Sequence, residues 1–218
     1  PEFTMQTQKT LVEMHPDGGI LNIDILSFER LAYRVFEEVG GDTRRIMEET
    51  GKNMVLQKLV QMNQKDLVYL RNQMKKPGYL DEVKSLISEF MQYEIKEEEL
   101  DEMIRESEDK TLLQMKLQDV KVLYQAFREY PSGHFMTAEE VLEVLAKEIQ
   151  FSEKLKGSVL LLDGYTGFTP VQLEVLRELL AVCERVSVTV TMDGREQFLA
   201  MGKPHELFYM SHKMIRSL

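Results

Sequence analysis

Asp163 closes a short apolar run, Val159, Leu160, Leu161 and Leu162, and is followed by Gly164, Tyr165 and a loop reaching Thr169. A carboxylate at the carboxyl end of a strand in an open α/β sheet stands at the edge where such sheets bind their ligands, nucleotides among them. Hydrolysis would need two further parts. One is a group to orient the attacking water, and the residue that follows, Gly164, offers no carboxylate for it. The other is a phosphate-cradling loop of the form G-x-x-x-x-G-K-[ST]. The chain has two Gly-Lys pairs, Gly51-Lys52 before Asn53 and Gly202-Lys203 before Pro204, and neither has the upstream glycine or the hydroxyl. The sequence therefore predicts no ATP hydrolysis and no catalytic residue of its own.

The elements that position Asp163 are legible around it. Residues 158–193 read as strand, loop, helix, strand. The run before Asp163 has the pattern of a parallel strand buried on both faces. Thr169 with Gln172 forms a capping box, and Pro170 sits where a missing N–H costs nothing. The helix extends to about Glu184, and Val186, Val188 and Val190 alternate with polar residues as a second strand. This is a βαβ unit, which implies a parallel sheet. Ligands of open α/β sheets bind at the carboxyl edge, where the 163–169 loop lies.

Three parts follow along the chain. Residues 1–41 hold a helix over 3–14, turn chemistry from His15 to Gly19, a short strand with Ile20, Ile23, Ile25 and Leu26, and a helix capped by Ser27 and ended by Gly40-Gly41. Residues 42–150 carry almost no strand signal. They read as amphipathic helices broken at Gly51, Pro77-Gly78 and Pro131-Ser132-Gly133, with a second capping box from Thr137 to Glu140. The acidic run 97–102 suits the start of a solvated helix. Residues 151–218 return to α/β, so a helical block interrupts an α/β domain.

Composition excludes several classes. One cysteine, Cys183, allows neither an internal disulfide nor a cysteine-built metal site, and the four histidines match no metal template. No run reaches the roughly 20 apolar residues of a membrane span. The formal charge of −10 argues against indiscriminate polyanion binding but leaves room for a local contact with single-stranded DNA. The chain starts without Met and ends inside a helical stretch over 211–218, the pattern expected of a piece of a longer protein.

The strand ending at Asp163 resembles the second nucleotide motif of phosphate-loop NTPases. Four segments together resemble the AddB family, the B subunits of AddAB-type bacterial helicase–nucleases that repair double-strand breaks by homologous recombination. They are PEFTMQTQ, ILSFERLAYRVFEEVGG, the helical stretch with GKNMVLQKLV, KKPGYLDEV and LISEFMQYEI, and LLLDGYTGFTPVQLEVL. They span nearly the whole chain.

The resemblance implies a degenerate RecA-like, superfamily 1 helicase-like α/β domain with a large all-helical insertion. It implies a cytoplasmic, DNA-binding subunit paired with an AddA-type helicase–nuclease subunit. ATP, Mg²⁺ and a 4Fe-4S cluster would belong to the full-length exonuclease, and none of them to this part. In the family this fold channels single-stranded DNA and reads a recombination hotspot. By similarity, Thr4, Phe28, Arg30, Tyr33 and Tyr165 are the strand-contacting set, with the three aromatics stacking on bases and Arg30 and Thr4 making polar contacts. Two positions depart from the family pattern. Phe3 directly follows Glu2 where the family has a further polar residue, and Tyr33 stands where it often has Trp.

Each residue also has a plainer reading. Phe28 lies on the apolar stripe with Leu31 and Val35, Arg30 and Tyr33 fit an ordinary exposed helix face, Thr4 fits a helix start, and Phe168 fits packing beneath the loop. A stand-alone degenerate NTPase-fold scaffold is the alternative for the whole chain.

Overall fold

Three side-chain caps fix where the key helices begin. Ser27 Oγ accepts the N–H of Arg30 at 3.3 Å and opens α2 (Phe28–Val39). Thr137 and Glu140 exchange bonds of 3.2 and 2.6 Å at the start of α8 (Ala138–Glu148). Thr169 and Gln172 do the same ahead of α9 (Pro170–Val182), with Pro170 in the first turn. Each cap satisfies N–H groups that the helix cannot bond internally. Gly40 ends α2 at φ 74°, a left-handed conformation that glycine adopts without strain.

The computed structural model describes residues 2–40, 44–76, 78–130, 135–195, 197–199 and 202–218. Pro1, Gly41, Pro77, the Pro131-Ser132-Gly133 break and His134 lie outside them. The remaining helices are α1 (Glu2–Met14), α3 (Glu49–Met62), α4 (Leu70–Gln73), α5 (Tyr79–Gln92), α6 (Glu97–Glu106), α7 (Thr111–Glu129) and α10 (Tyr209–Ser217). The acidic run opens α6, with Glu97, Glu98 and Glu99 in its first turn.

Two short parallel ladders are formed among the described residues. β1 (Arg45–Ile46) pairs with β2 (Phe135–Met136), and β3 (Val159–Leu162) pairs with β4 (Arg185–Val188) in the register Leu162↔Val188. The first ladder brackets the helical block, because the chain leaves after β1 and returns at β2. The second is the expected β–α–β unit, with α9 as the connection.

Two expectations differ from the structure. No strand forms over 20–26, where Ile20, Ile25 and Leu26 are half-buried but the backbone has no ladder partner among the described residues. β3 is not buried on both faces either. Leu162 is buried and Leu160 half-buried, while Val159 and Leu161 are 58% and 63% exposed. Nothing among the described residues covers that side of the strand.

Apolar residues collect in two clusters. One holds Met47, Leu56, Leu59, Ile87, Phe90, Leu100, Leu123 and Phe127 from the helical block. The other joins Ala32 and Val35 of α2 with Val141 and Leu145 of α8, Leu162, and Val175 and Leu179 of α9. By packing, α8 therefore belongs with the α/β elements, although it follows the helical block without an intervening long strand. Two polar devices hold these clusters. Asp119 of α7, 1% exposed, accepts the N–H groups of Val68, Tyr69 and Leu70 at 2.9, 2.7 and 2.6 Å and so fixes the start of α4. Lys52 of α3 and Glu139 of α8, both buried, meet at 3.3 Å and tie the helical block to the α/β elements.

Candidate nucleic-acid interface

The carboxyl edge of β3 is built by a turn and a side-chain bond. Gly164 has φ 77°, so the chain leaves the strand through a left-handed residue where an added side chain would be strained. The exposed Asp163 carboxylate accepts the hydroxyl of Thr189, just beyond β4, which holds the two strand exits side by side.

The loop then folds Tyr165 inward against α2. The Tyr165 and Phe28 rings meet edge to face, with centroids 5.7 Å apart and planes at 70°. Tyr165 lies at 5.0 Å and 31° from Phe168, a tilted stack. These are favourable aromatic geometries. All three rings are half-buried and pack on the second cluster. Burial pushes the Tyr165 phenol above its usual value.

Arg30 and Tyr33, three positions apart on α2, share its exposed side; Tyr33 is 44% exposed. Burial, and then the nearby Glu29 carboxylate, raise the Tyr33 phenol. Arg34 on the same side is held by Asp24 at 2.6 Å. The structure thus brings Phe28 and Tyr165 into contact beside Asp163, with Arg30 and Tyr33 on the flank of the same first turns of α2. Thr4 is half-buried in α1, and among the described residues no hydrogen bond or ring contact joins it to that group.

Phe168 packs beneath the loop as its sequence position suggests, and its contact with Tyr165 extends the aromatic row; sequence reasoning missed the Thr189 hydroxyl that clasps Asp163. The signal for Phe168 was its position two residues before a helix, where a ring facing back beneath the loop is the simplest placement. Lys52 stands out in the sequence only as half of a Gly-Lys pair. Its Nζ lies 3.3 Å from Ser88, Glu49 and Glu139, so it is committed to an internal ion pair. The signal for that role was its spacing with Leu56 and Leu59 on the buried stripe of α3.

No group of three or more His, Cys, Asp or Glu side chains among the described residues is arranged to hold a metal ion. Asp163 belongs to no such group, and Cys183 is one buried thiol at the end of α9. These residues do not fit a nucleotide–Mg²⁺ site or a four-cysteine cluster.

The family model described as "ADDB, N-terminal" matches residues 1–218. The chain belongs to the AddB N-terminal family. It is 44% identical over 217 residues to the B subunit of the ATP-dependent helicase/deoxyribonuclease of Lachnoclostridium phytofermentans, a match covering 100% of this chain and 19% of that protein. The B subunits of the same name from Alkaliphilus metalliredigens and a Thermoanaerobacter species are each 34% identical over 212 residues, covering 97% of this chain and 18% of their own length. The chain thus spans about a fifth of the AddB relatives it matches. No described helix is long and apolar enough to cross a membrane.

Proposed function

We propose that this chain is an inactivated, RecA-like helicase module of an AddB-type subunit, and that it guides and reads single-stranded DNA at the carboxyl edge of β3 and β4. The reading rests on one observation above all. Phe28, Tyr165 and Phe168 form a continuous, half-buried aromatic row beside Asp163, at the edge where an active relative of this fold would hold nucleotide. Aromatic faces suit bases of any sequence, and an adjacent arginine supplies hydrogen bonds to base edges or phosphates. Arg30 and Tyr33 are available for that on the open side of α2. Thr4 is the outlying member, reached by a strand only if it extends along α1.

In this reading the chain contributes no motor or nuclease chemistry. ATP, Mg²⁺ and a 4Fe-4S cluster serve other parts of the full-length protein, an ATP-dependent exonuclease subunit acting in recombinational repair in the cytoplasm with an AddA-type partner. The test is single-strand binding by the full-length complex. Phe28→Ala is expected to weaken it roughly five- to a hundredfold, the worth of one stacked base. Arg30→Ala should alter sequence preference more than affinity. If both variants bind and respond to a hotspot as the wild type does, the reading fails. A protein-contact scaffold is favoured by one observation, the uncovered Val159 and Leu161 on β3.

A further inference from the structure

A second feature lies at the same edge, away from the aromatic row. Ser211 of α10 donates its hydroxyl to the carbonyl of Thr191 at 2.6 Å, two residues past the Thr189 that clasps Asp163. That bond anchors α10 to the exit of β4. Beside α10 is a notch of about 360 Å³ lined by Gly202, Tyr209, His212, Lys213, Arg216 and Ser217. Tyr209, Lys213 and Arg216 recur at helical spacing, so a phenol and two cations form one stripe facing the space. His212 is buried at its base, 4% exposed.

Gly202 makes the notch possible. A Cβ there would stand 3.3 Å from Glu206 Oε2, 3.3 Å from His212 Cδ2 and 3.4 Å from Tyr209 Cα, so a larger residue would crowd the loop against the helix. The local charge is also reversed. Residues 202–218 carry Lys203, Lys213 and Arg216 against Glu206 alone, in a chain of formal charge −10. Glu206 is engaged in closing the turn, where it accepts the N–H of Lys203 at 2.9 Å.

We propose that this notch binds a backbone phosphate of the single strand whose bases meet the Phe28–Tyr165 row, with Lys213 and Arg216 holding the phosphate. The ligand's identity as a nucleic-acid strand rests on the function proposed above; the phosphate chemistry does not. Guanidinium and ammonium groups are the side chains suited to phosphate oxygens. Both stand in the last two turns of α10, where the helix dipole favours cations and its carbonyls repel an anion. Binding therefore depends on the two side chains and not on the helix backbone.

The test uses the full-length protein with its partner subunit and two labelled probes, an oligodeoxythymidine and an abasic strand of equal length, titrated across a salt series. Lys213→Ala/Arg216→Ala should weaken both probes by a similar factor. It should also lower the slope of log affinity against log salt by about 0.7 for each phosphate no longer neutralised. Lys213→Arg/Arg216→Lys, which keeps the charge and controls for folding, should retain most of the slope. An unchanged slope and affinity in the alanine variant would overturn the notch.

Phe28→Ala gives the complementary pattern, weakening oligodeoxythymidine but not the abasic strand and leaving the slope intact. If Phe28→Ala has no effect while the double variant does, the base-reading proposal fails and the phosphate notch stands. Displacement of the abasic strand by inorganic phosphate at matched ionic strength, seen with wild type and absent in the alanine variant, would assign the notch to a free phosphate-bearing ligand instead.

Discussion

The helical block from α3 to α7 and the part built on β3 and β4 each have a shielded core, and they differ in what stands at their edges. In the block, Leu56, Leu100 and Leu123 are fully shielded, and Asp119 satisfies three backbone N–H groups from within. In the α/β part, Val159 and Leu161 are more than half exposed, and the edge of the sheet ends in half-buried rings. A buried carboxylate paired with three amides holds its segment in place, whereas an open strand side and an aromatic edge are surfaces left for contact. Under the function proposed above, the difference separates scaffold from working surface. The Lys52–Glu139 pair is where the two meet.

That junction is the place to break the comparison with the largest effect. Lys52→Ala leaves the Glu139 carboxylate buried without its cation and should destabilise the chain by about 3–5 kcal/mol in urea unfolding. Replacing both partners with apolar residues of similar volume should recover most of the loss, because the desolvation penalty disappears with the charges. A single variant that costs less than about 1 kcal/mol would mean that the two parts are not coupled through this pair.

A sharper contrast lies within one strand. Leu162→Ala removes a residue that is 6% exposed and should cost about 2–4 kcal/mol. Its neighbour Leu161 is 63% exposed, and Leu161→Ala should fall within about 0.5 kcal/mol. If the two substitutions cost the same in chemical denaturation, the outer side of β3 is covered and the division between closed and open regions is wrong.

The sequence made the local elements legible because their signals are local. Thr137 with Glu140, Thr169 with Gln172, Ser27 and Gly40 each declare a helix end through a bond to the nearest backbone, so the helices begin and end where those residues lie. The contact of Phe28 with Tyr165 was not read from the sequence, where the family resemblance named both only as strand-contacting residues. What the sequence could not convey was pairing across long separations. Lys52 and Glu139 are 87 residues apart, and Asp119 reaches loop amides about 50 residues away. The stretch 20–26 misled for the same reason. Its alternation is that of a strand, but strands exist only through a partner, and no local pattern announces whether one is present. The βαβ pattern likewise suggested burial on both faces of β3, which requires elements that a local reading cannot supply.

The smallest expected effect concerns how the α/β part is held at its margin. Glu38, near the end of α2, accepts the Ser152 hydroxyl at 2.6 Å and the Lys154 N–H at 2.9 Å, closing α2 onto the segment after α8. The Ser152 bond, aided by the Lys154 amide and charge, holds its carboxyl below the ordinary value. A depressed carboxylate stabilises the folded chain at pH values above its unfolded pKa, about 4.3, and the contribution disappears as pH falls through the folded value. Glu38→Gln should therefore lower the thermal midpoint slightly at pH 7, and the gap from wild type should narrow as pH drops below about 4. The helical block has its own acid-sensitive carboxylate in Glu49, depressed chiefly by its bond to Lys84. Amide exchange in α2 should respond to Glu38→Gln while exchange in α3 does not. A change of equal size in both helices would show that loss of the Glu38 contacts loosens the molecule as one unit, and would remove the distinction between a closed block and an open, separately held edge.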